Sequence, residues 1–102
     1  MNRAEEVEIL LVEDNPEDAE LTLRALEKIN LANRVAHVAD GEAALNFLLA
    51  RGEFSVRKSE SQPQVVILDL KLPKVSGQEV LRTLKSNPRT QAIPVVVFTS
   101  SA

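Results

Sequence analysis

A chain of 102 residues with 44% apolar and 26% charged side chains has the balance of one globular domain, and with aromatics at 3% and no Trp or Tyr its core must be aliphatic. The net charge of −3 and the lack of a Lys/Arg run argue against direct partnership with nucleic acid or an anionic membrane surface. The absence of cysteine excludes disulfides, thiolate metal sites and thiol nucleophiles.

Met1 to Glu8 is acidic and short, with no hydrophobic stretch of signal-peptide type, and a flexible N-terminus is expected over residues 1–7. No apolar run approaches the roughly 18 residues of a membrane span, and the expected location is cytoplasmic. Ile9 to Val12 is an unbroken aliphatic run, which suits a strand covered on both faces in a parallel sheet. It stops abruptly at Glu13-Asp14-Asn15-Pro16. Asn15 is a good N-cap, Pro16 suits the first helical position, and Glu17 and Asp18 suit the positive end of the helix dipole. Ala19, Leu23 and Leu26 then recur at helical spacing, with Glu20 and Arg24 four apart on the outside.

Arg34 to Ala39 mixes polar and apolar residues and predicts a more exposed second strand. Asp40 and Gly41 open a second helix carrying Leu45, Phe47, Leu48 and Leu49, with Gly52 placed to close it. Glu53 to Gln64 is polar and long for a connection in an α/β fold, and predicts a mobile surface loop. Val65 to Leu68 is a third strand, followed directly by Asp69. Ser76-Gly77-Gln78-Glu79 has the form of a capping box; Val80, Leu81 and Leu84 follow, and Asn87-Pro88 ends that helix. Val95 to Phe98 is a fourth aliphatic strand.

Strands alternating with helices imply right-handed crossovers and a doubly wound parallel sheet with helices on both faces. All strand ends then share one edge, the edge at which open α/β sheets bind ligands. Glu13, Asp14 and Asp69 arrive there, together with the hydroxyls of Thr99 and Ser100. One acid after a strand is ordinarily a cap or a solvated turn residue. Three converging acids are different, because carboxylates about 5 Å apart at an effective dielectric near 20 repel by roughly 3 kcal/mol per pair. A hard divalent cation relieves this, and Mg²⁺ favours one or two carboxylates, waters and a phosphoryl oxygen. Asp69, rigidly placed at the end of the expected central strand, is a candidate nucleophile toward phosphorus, with Thr99 as a donor to the incoming group.

Glu13-Asp14-Asn15, Asp69, the loop from Leu70 to Gly77, and the stretch from Ile93 to Ser100 together resemble the receiver domain of two-component response regulators. The "EDNP" start, the long loop before the third strand and "DLKLP" are most similar to the single-domain regulators associated with phytochromes. The resemblance spans nearly the whole chain, in order. It implies a flavodoxin-like fold of strand order 2-1-3-4-5 and Asp69 as phosphoacceptor. It also implies Mg²⁺, with Mn²⁺ as a substitute, on Asp14, Asp69, the Lys71 carbonyl and, through water, Glu13. Thr99 would be the switch hydroxyl, and the donor a sensor histidine kinase such as a phytochrome. Family members continue past the fourth strand to a helix, a fifth strand ending in Lys-Pro and a last helix. Residues 1–102 are therefore expected to be a single receiver domain incomplete at its C-terminus, with the sheet at 2-1-3-4 and self-association through the uncovered fourth strand.

Other functions compete. The site lysine that the family carries on its fifth strand is missing here, which makes a non-phosphorylated binding or oligomerisation module a credible alternative. An aspartate-nucleophile phosphatase would need an acid two residues after its nucleophile, where Lys71 stands. The expectation is a switch, with at most slow autophosphorylation and autodephosphorylation. His37, the only histidine, lies in the most exposed strand with no second histidine and no acid cluster nearby, and reads as a surface residue. Arg51, Arg57 and Lys58 read as a solvated basic patch. Three glycines, at 41, 52 and 77, cannot build a dinucleotide or Walker-A phosphate loop.

Overall fold

The computed structural model describes residues 8–29, 34–55 and 62–98. Its elements are β1 (Ile9–Val12), α1 (Pro16–Lys28), β2 (Val35–Val38), α2 (Gly41–Leu48), a 3₁₀ turn (Gly52–Phe54), β3 (Val65–Asp69), α3 (Gly77–Ser86) and β4 (Val95–Phe98). The four strands form one sheet in the order β2-β1-β3-β4, every pair parallel. Ile9 lies between Val35 and Val65, and Val12 between Val38 and Leu68.

Period-two alternation sends Leu10 and Val12 of β1, with Val66 and Leu68 of β3, into one core shared with Ala44, Phe47 and Leu48 of α2 and Val80 and Leu84 of α3. Ile9 and Leu11 point to the opposite face and are buried as well. β1 is thus covered on both sides, as its unbroken aliphatic run requires. Full burial of each such side chain contributes about 1.5–3 kcal/mol. No helix among the described residues is long and apolar enough to cross a membrane.

The helix starts follow the sequence. Asn15 Oδ1 accepts from the amides of Glu17 and Asp18, Asp40 Oδ1 from Ala43, and Ser76 Oγ from Glu79. Glu20 and Arg24 pair at 2.8 Å along α1. At the far end of α3, the Lys85 ammonium donates to the Gln91 and Ile93 carbonyls, tying the turn before β4 to the helix.

Several expectations need correction. β2 is shorter than residues 34–39, because Asp40 turns out of the strand to cap α2. β3 is one residue longer, taking Asp69 into the ladder opposite Phe98. α2 closes before Gly52: Arg51 N donates to Asn46 O, Ala50 N donates to Phe47 O, and Ala50 adopts φ 53°. This is a Schellman closure with alanine in the left-handed position, and Gly52, at φ 58°, opens the 3₁₀ turn instead. The segment from Glu53 to Gln64 is anchored at both described ends. Phe54 packs edge-on against Phe47 with ring centroids 5.1 Å apart, and Gln62 Nε2 donates to Leu48 O. Residues 56–61 between them lie outside the described residues.

β4 is exposed in part, in line with the expected uncovered fourth strand. Val96 is 55% and Val97 38% exposed, since β4 is an edge strand paired with β3 alone among the described residues.

The closure of α2 generates a stability prediction. A left-handed L-residue costs roughly 1–2 kcal/mol that glycine does not, offset in part by glycine's freer unfolded chain. Ala50→Gly is expected to raise stability by about 0.5–1 kcal/mol in urea unfolding, and an unchanged or lower midpoint would contradict the closure described.

Candidate functional site

Parallel pairing fixes the geometry of the carboxyl edge. With Val12 opposite Leu68, the next residues, Glu13 and Asp69, leave β1 and β3 side by side. One carboxylate oxygen from each of Glu13, Asp14 and Asp69 lies within 4.8 Å of the other two. Glu13 and Asp69 are fully buried, whereas Asp14 is exposed.

Each acid is held by the turn that follows it. The Asn15 amide donates to Glu13 Oε2 at 3.1 Å while the Asn15 side chain caps α1, so one residue ends the strand, starts the helix and orients the glutamate. The Lys71 amide donates to Asp69 Oδ1 at 2.9 Å, and Leu70 N donates to Phe98 O. A Cβ on Gly77 would stand 2.5 Å from the Asp69 carbonyl, so glycine lets α3 begin directly beneath the acid.

The loop from Leu70 to Ser76 is braced on α2. A Cβ on Gly41 would fall 2.1 Å from the Val75 carbonyl, a contact that only glycine permits. Lys74, in the left-handed region at φ 67°, brings its ammonium 3.7 Å from Asp40 Oδ2 and 3.6 Å from Glu42 Oε1.

The cluster is electrostatically unfinished. Burial, above all, pushes the Glu13 carboxyl above its ordinary value; the Asn15 amide opposes this, and the neighbouring Asp69 and more distant Asp18 charges add to the upward shift. Among the described residues, Glu13 Oε1 is buried without a hydrogen-bond donor. A bond between Glu13 and Asp69 needs a proton on one of them. A hard cation meets the same need without protonation. The donor set is carboxylate oxygen throughout, and its spread suits an ion that binds oxygen at about 2.0–2.6 Å. The residues present therefore fit a divalent cation.

Of the residues singled out in the sequence, Glu13, Asp14 and Asp69 come together, and the backbone of Lys71 is tied to the cluster through its amide. Thr99 lies outside the described residues. His37 requires correction: it is exposed, but its Nε2 stands 2.8 Å from the Glu13 carbonyl, so it adjoins the acid cluster rather than lying apart from it. The signal that would have found it is the register of β2 on β1, which sets His37 opposite Leu11, two residues before Glu13.

A parallel sheet with an aspartate at the end of its inner strand and two further acids beside it defines a class that the comparisons make specific. The family model described as the response regulator receiver domain matches residues 9–102. The chain belongs to this family, whose members are the receiver domains of two-component systems. It is 48% identical over 94 residues to the probable methanogenesis regulatory protein FilR2 of Methanothrix harundinacea, covering 91% of this chain and 57% of that protein. It is 41% identical over 93 residues to the response regulator Rcp1 of a Synechocystis species, covering 91% and 61%. This chain thus spans about three fifths of the length of those curated relatives.

Among solved structures, the bacteriophytochrome response regulator AtBRR superposes with a TM-score of 0.86 at 54% identity, over 94% of this chain and 68% of that one. The phosphorylated cyanobacterial phytochrome response regulator RcpA gives 0.82 at 40% identity, over 94% and 66%. The Mn²⁺-bound form of Rcp1 gives 0.81 at 41% identity, over 91% and 65%. The order β2-β1-β3-β4 with its helices is that of the flavodoxin-like receiver fold of these neighbours.

The raised Glu13 pKa has a definite sign in metal-free protein. The folded state holds this proton more tightly than the unfolded chain does, so the associated stability is complete below the ordinary value of 4.5 and is lost as pH rises through the elevated one. Glu13→Gln is expected to flatten that dependence and, with chelator at pH 7, to raise stability by about 0.5–2 kcal/mol, the range of a typical stabilising substitution at a strained functional site. Urea unfolding from pH 4 to 8 checks this; a variant less stable than wild type at pH 7 would contradict it.

Proposed function

We propose that this chain is a phosphoacceptor switch that takes a phosphoryl group on Asp69 from a histidine kinase, such as a phytochrome, in a cation-dependent reaction in the cytoplasm. The observation that carries this is the placement of Asp69, fully buried at the end of β3, within 4.8 Å of two other carboxylates, one of which has a buried oxygen with no partner among the described residues. The phosphorylated and Mn²⁺-bound relatives support the reading.

In the proposed reaction a carboxylate oxygen of Asp69 attacks phosphorus. The new O–P bond forms as the P–N bond of the donor phosphohistidine breaks, and the electron pair leaves on the imidazole. The Lys71 amide on Oδ1 holds the Asp69 carboxylate in place during attack. Asp14 and Asp69, the Lys71 carbonyl and, through water, Glu13 would hold Mg²⁺ or Mn²⁺, and the bound cation supplies charge neutralisation for the incoming group. Thr99 would act as the switch hydroxyl. The output would be a changed protein-binding surface, with a net charge of −3 favouring protein over nucleic acid as partner. Turnover would be limited to slow self-phosphorylation and hydrolysis. Lys71 stands where a phosphatase of this chemistry would carry its second acid, so steady-state hydrolysis of a phosphate ester is not expected.

Titration with Mg²⁺ or Mn²⁺ should saturate near one ion, and Asp14→Ala should weaken binding by at least about tenfold, the scale of losing one charged ligand. A small-molecule phosphodonor with Mg²⁺ should add one phosphoryl group by intact mass, slowly, and Asp69→Asn should remove it. Unchanged cation binding in the first variant, or unchanged labelling in the second, would refute the assignment.

A second property follows from β4. Its exposed Val96 and Val97 sit on a strand that pairs with β3 alone among the described residues, and leaving a Val-sized side chain uncovered forgoes about 1.5–3 kcal/mol. We propose that the 102-residue chain self-associates through this strand. Sedimentation across a dilution series should show a concentration-dependent dimer or larger species that Val96→Lys weakens; a cooperatively folded monomer throughout would refute it.

A further inference from the structure

Glu13 is anchored to the rest of the fold at three atoms. Its amide donates to the Val38 carbonyl at 3.1 Å, its Oε2 accepts from the Asn15 amide at 3.1 Å, and its carbonyl accepts from His37 Nε2 at 2.8 Å. Two of these anchors are backbone to backbone or come from a neighbour in sequence. The third is the side chain of a residue 24 positions away, projecting from the edge strand β2. The chain beyond β2 cannot take its place by simply extending the ladder, because Asp40 has turned away to cap α2.

The carbonyl that His37 holds belongs to the peptide joining Glu13 to Asp14. That peptide carries one acid of the cluster on each side, the buried one and the exposed one. Rotation of its plane would swing both carboxylates at once, and planarity of the peptide couples the two movements. We propose that His37 is a positioning residue for the cation site, fixing the Glu13–Asp14 peptide so that both carboxylates converge with Asp69. This rests on the cation-binding reading above. The role needs a proton on Nε2, which both the neutral Nε2–H tautomer and the imidazolium provide, so it calls for no change of charge on the ring.

The alternative is a hydrogen bond that merely satisfies a carbonyl at the sheet edge. Its loss would alter stability without altering the cation site. The two differ in what a glutamine does at this position, since a Gln Nε2 reaches about as far as a His Nε2 and donates in the same way.

The test uses the 102-residue chain and Mn²⁺ alone, with free Mn²⁺ read by electron paramagnetic resonance and unfolding midpoints measured in chelator. His37→Ala is expected to bind Mn²⁺ about three- to tenfold more weakly, the scale of one lost hydrogen bond, and His37→Gln to recover most of that loss. Nitrogen-15 spectra of the wild-type imidazole should show Nε2 protonated with and without Mn²⁺. Wild-type affinity in His37→Ala, an equal loss in His37→Gln, or an Nδ1–H tautomer in the wild type would each overturn the positioning role while leaving the cation site intact. Failure of the wild type itself to bind Mn²⁺ would overturn the cation reading and this inference together. An affinity loss in His37→Ala with an unchanged unfolding midpoint would support positioning most directly.

Discussion

The register of β1 on β3 is the constraint from which the rest of the site follows. Because Val12 faces Leu68 in a parallel pair, the chain must present Glu13 and Asp69 side by side as it leaves the sheet. No local feature of either turn could achieve this alone. The register is in turn enforced by the core, since a one-residue slip of β1 on β3 would send either Leu10 and Val12 or Val66 and Leu68 to the opposite face and break the layer that α2 and α3 cover. Hydrophobic burial thus holds two buried carboxylates together against their repulsion. The cluster is a strained feature that the core can sustain because it is small beside the aliphatic layer beneath it.

The loops at this edge extend the same logic. Asn15 serves strand, helix and glutamate at once, and Gly77 allows α3 to start against the Asp69 carbonyl. Gly41 and Lys74 lock the loop after Asp69 to the start of α2, so the site is framed by elements from three different strand-to-helix turns. α2 contributes no carboxylate to the cluster, yet its first turn limits how the adjoining loop can move.

Much of this was legible in the sequence, and the reasons are physical. Unbroken aliphatic runs marked β1 and β3 because central strands of a parallel sheet have no solvent face. Asn15, Asp40 and Ser76 announced their helices because capping is local chemistry. The acids were recognisable because parallel topology alone sends strand ends to one edge. What escaped depended on pairing rather than pattern. His37 could not be placed beside Glu13 without knowing the register of β2, and its exposure made it look inert. The closure of α2 was misplaced because glycine is the usual left-handed residue, and here Ala50 takes that conformation two positions earlier. β4 shows the limit of composition. Val95 to Phe98 is as aliphatic as β1, and its partial exposure was expected from the family resemblance rather than from its own residues, because a strand's residues carry no record of its neighbours.

The uneven exposure of the three acids has a kinetic consequence. Asp14 meets solvent while Glu13 and Asp69 are sealed from it, so the edge has an outer and an inner contact for any arriving cation. If the edge holds a cation as proposed, encounter would be governed by the outer charge, and therefore by long-range attraction that dissolved salt weakens. Residence would be governed by the inner pair, which salt scarcely reaches. Arrival and departure of the proposed cation would thereby fall to different side chains, and the same equilibrium occupancy would respond fast or slowly depending on which of the two layers changes.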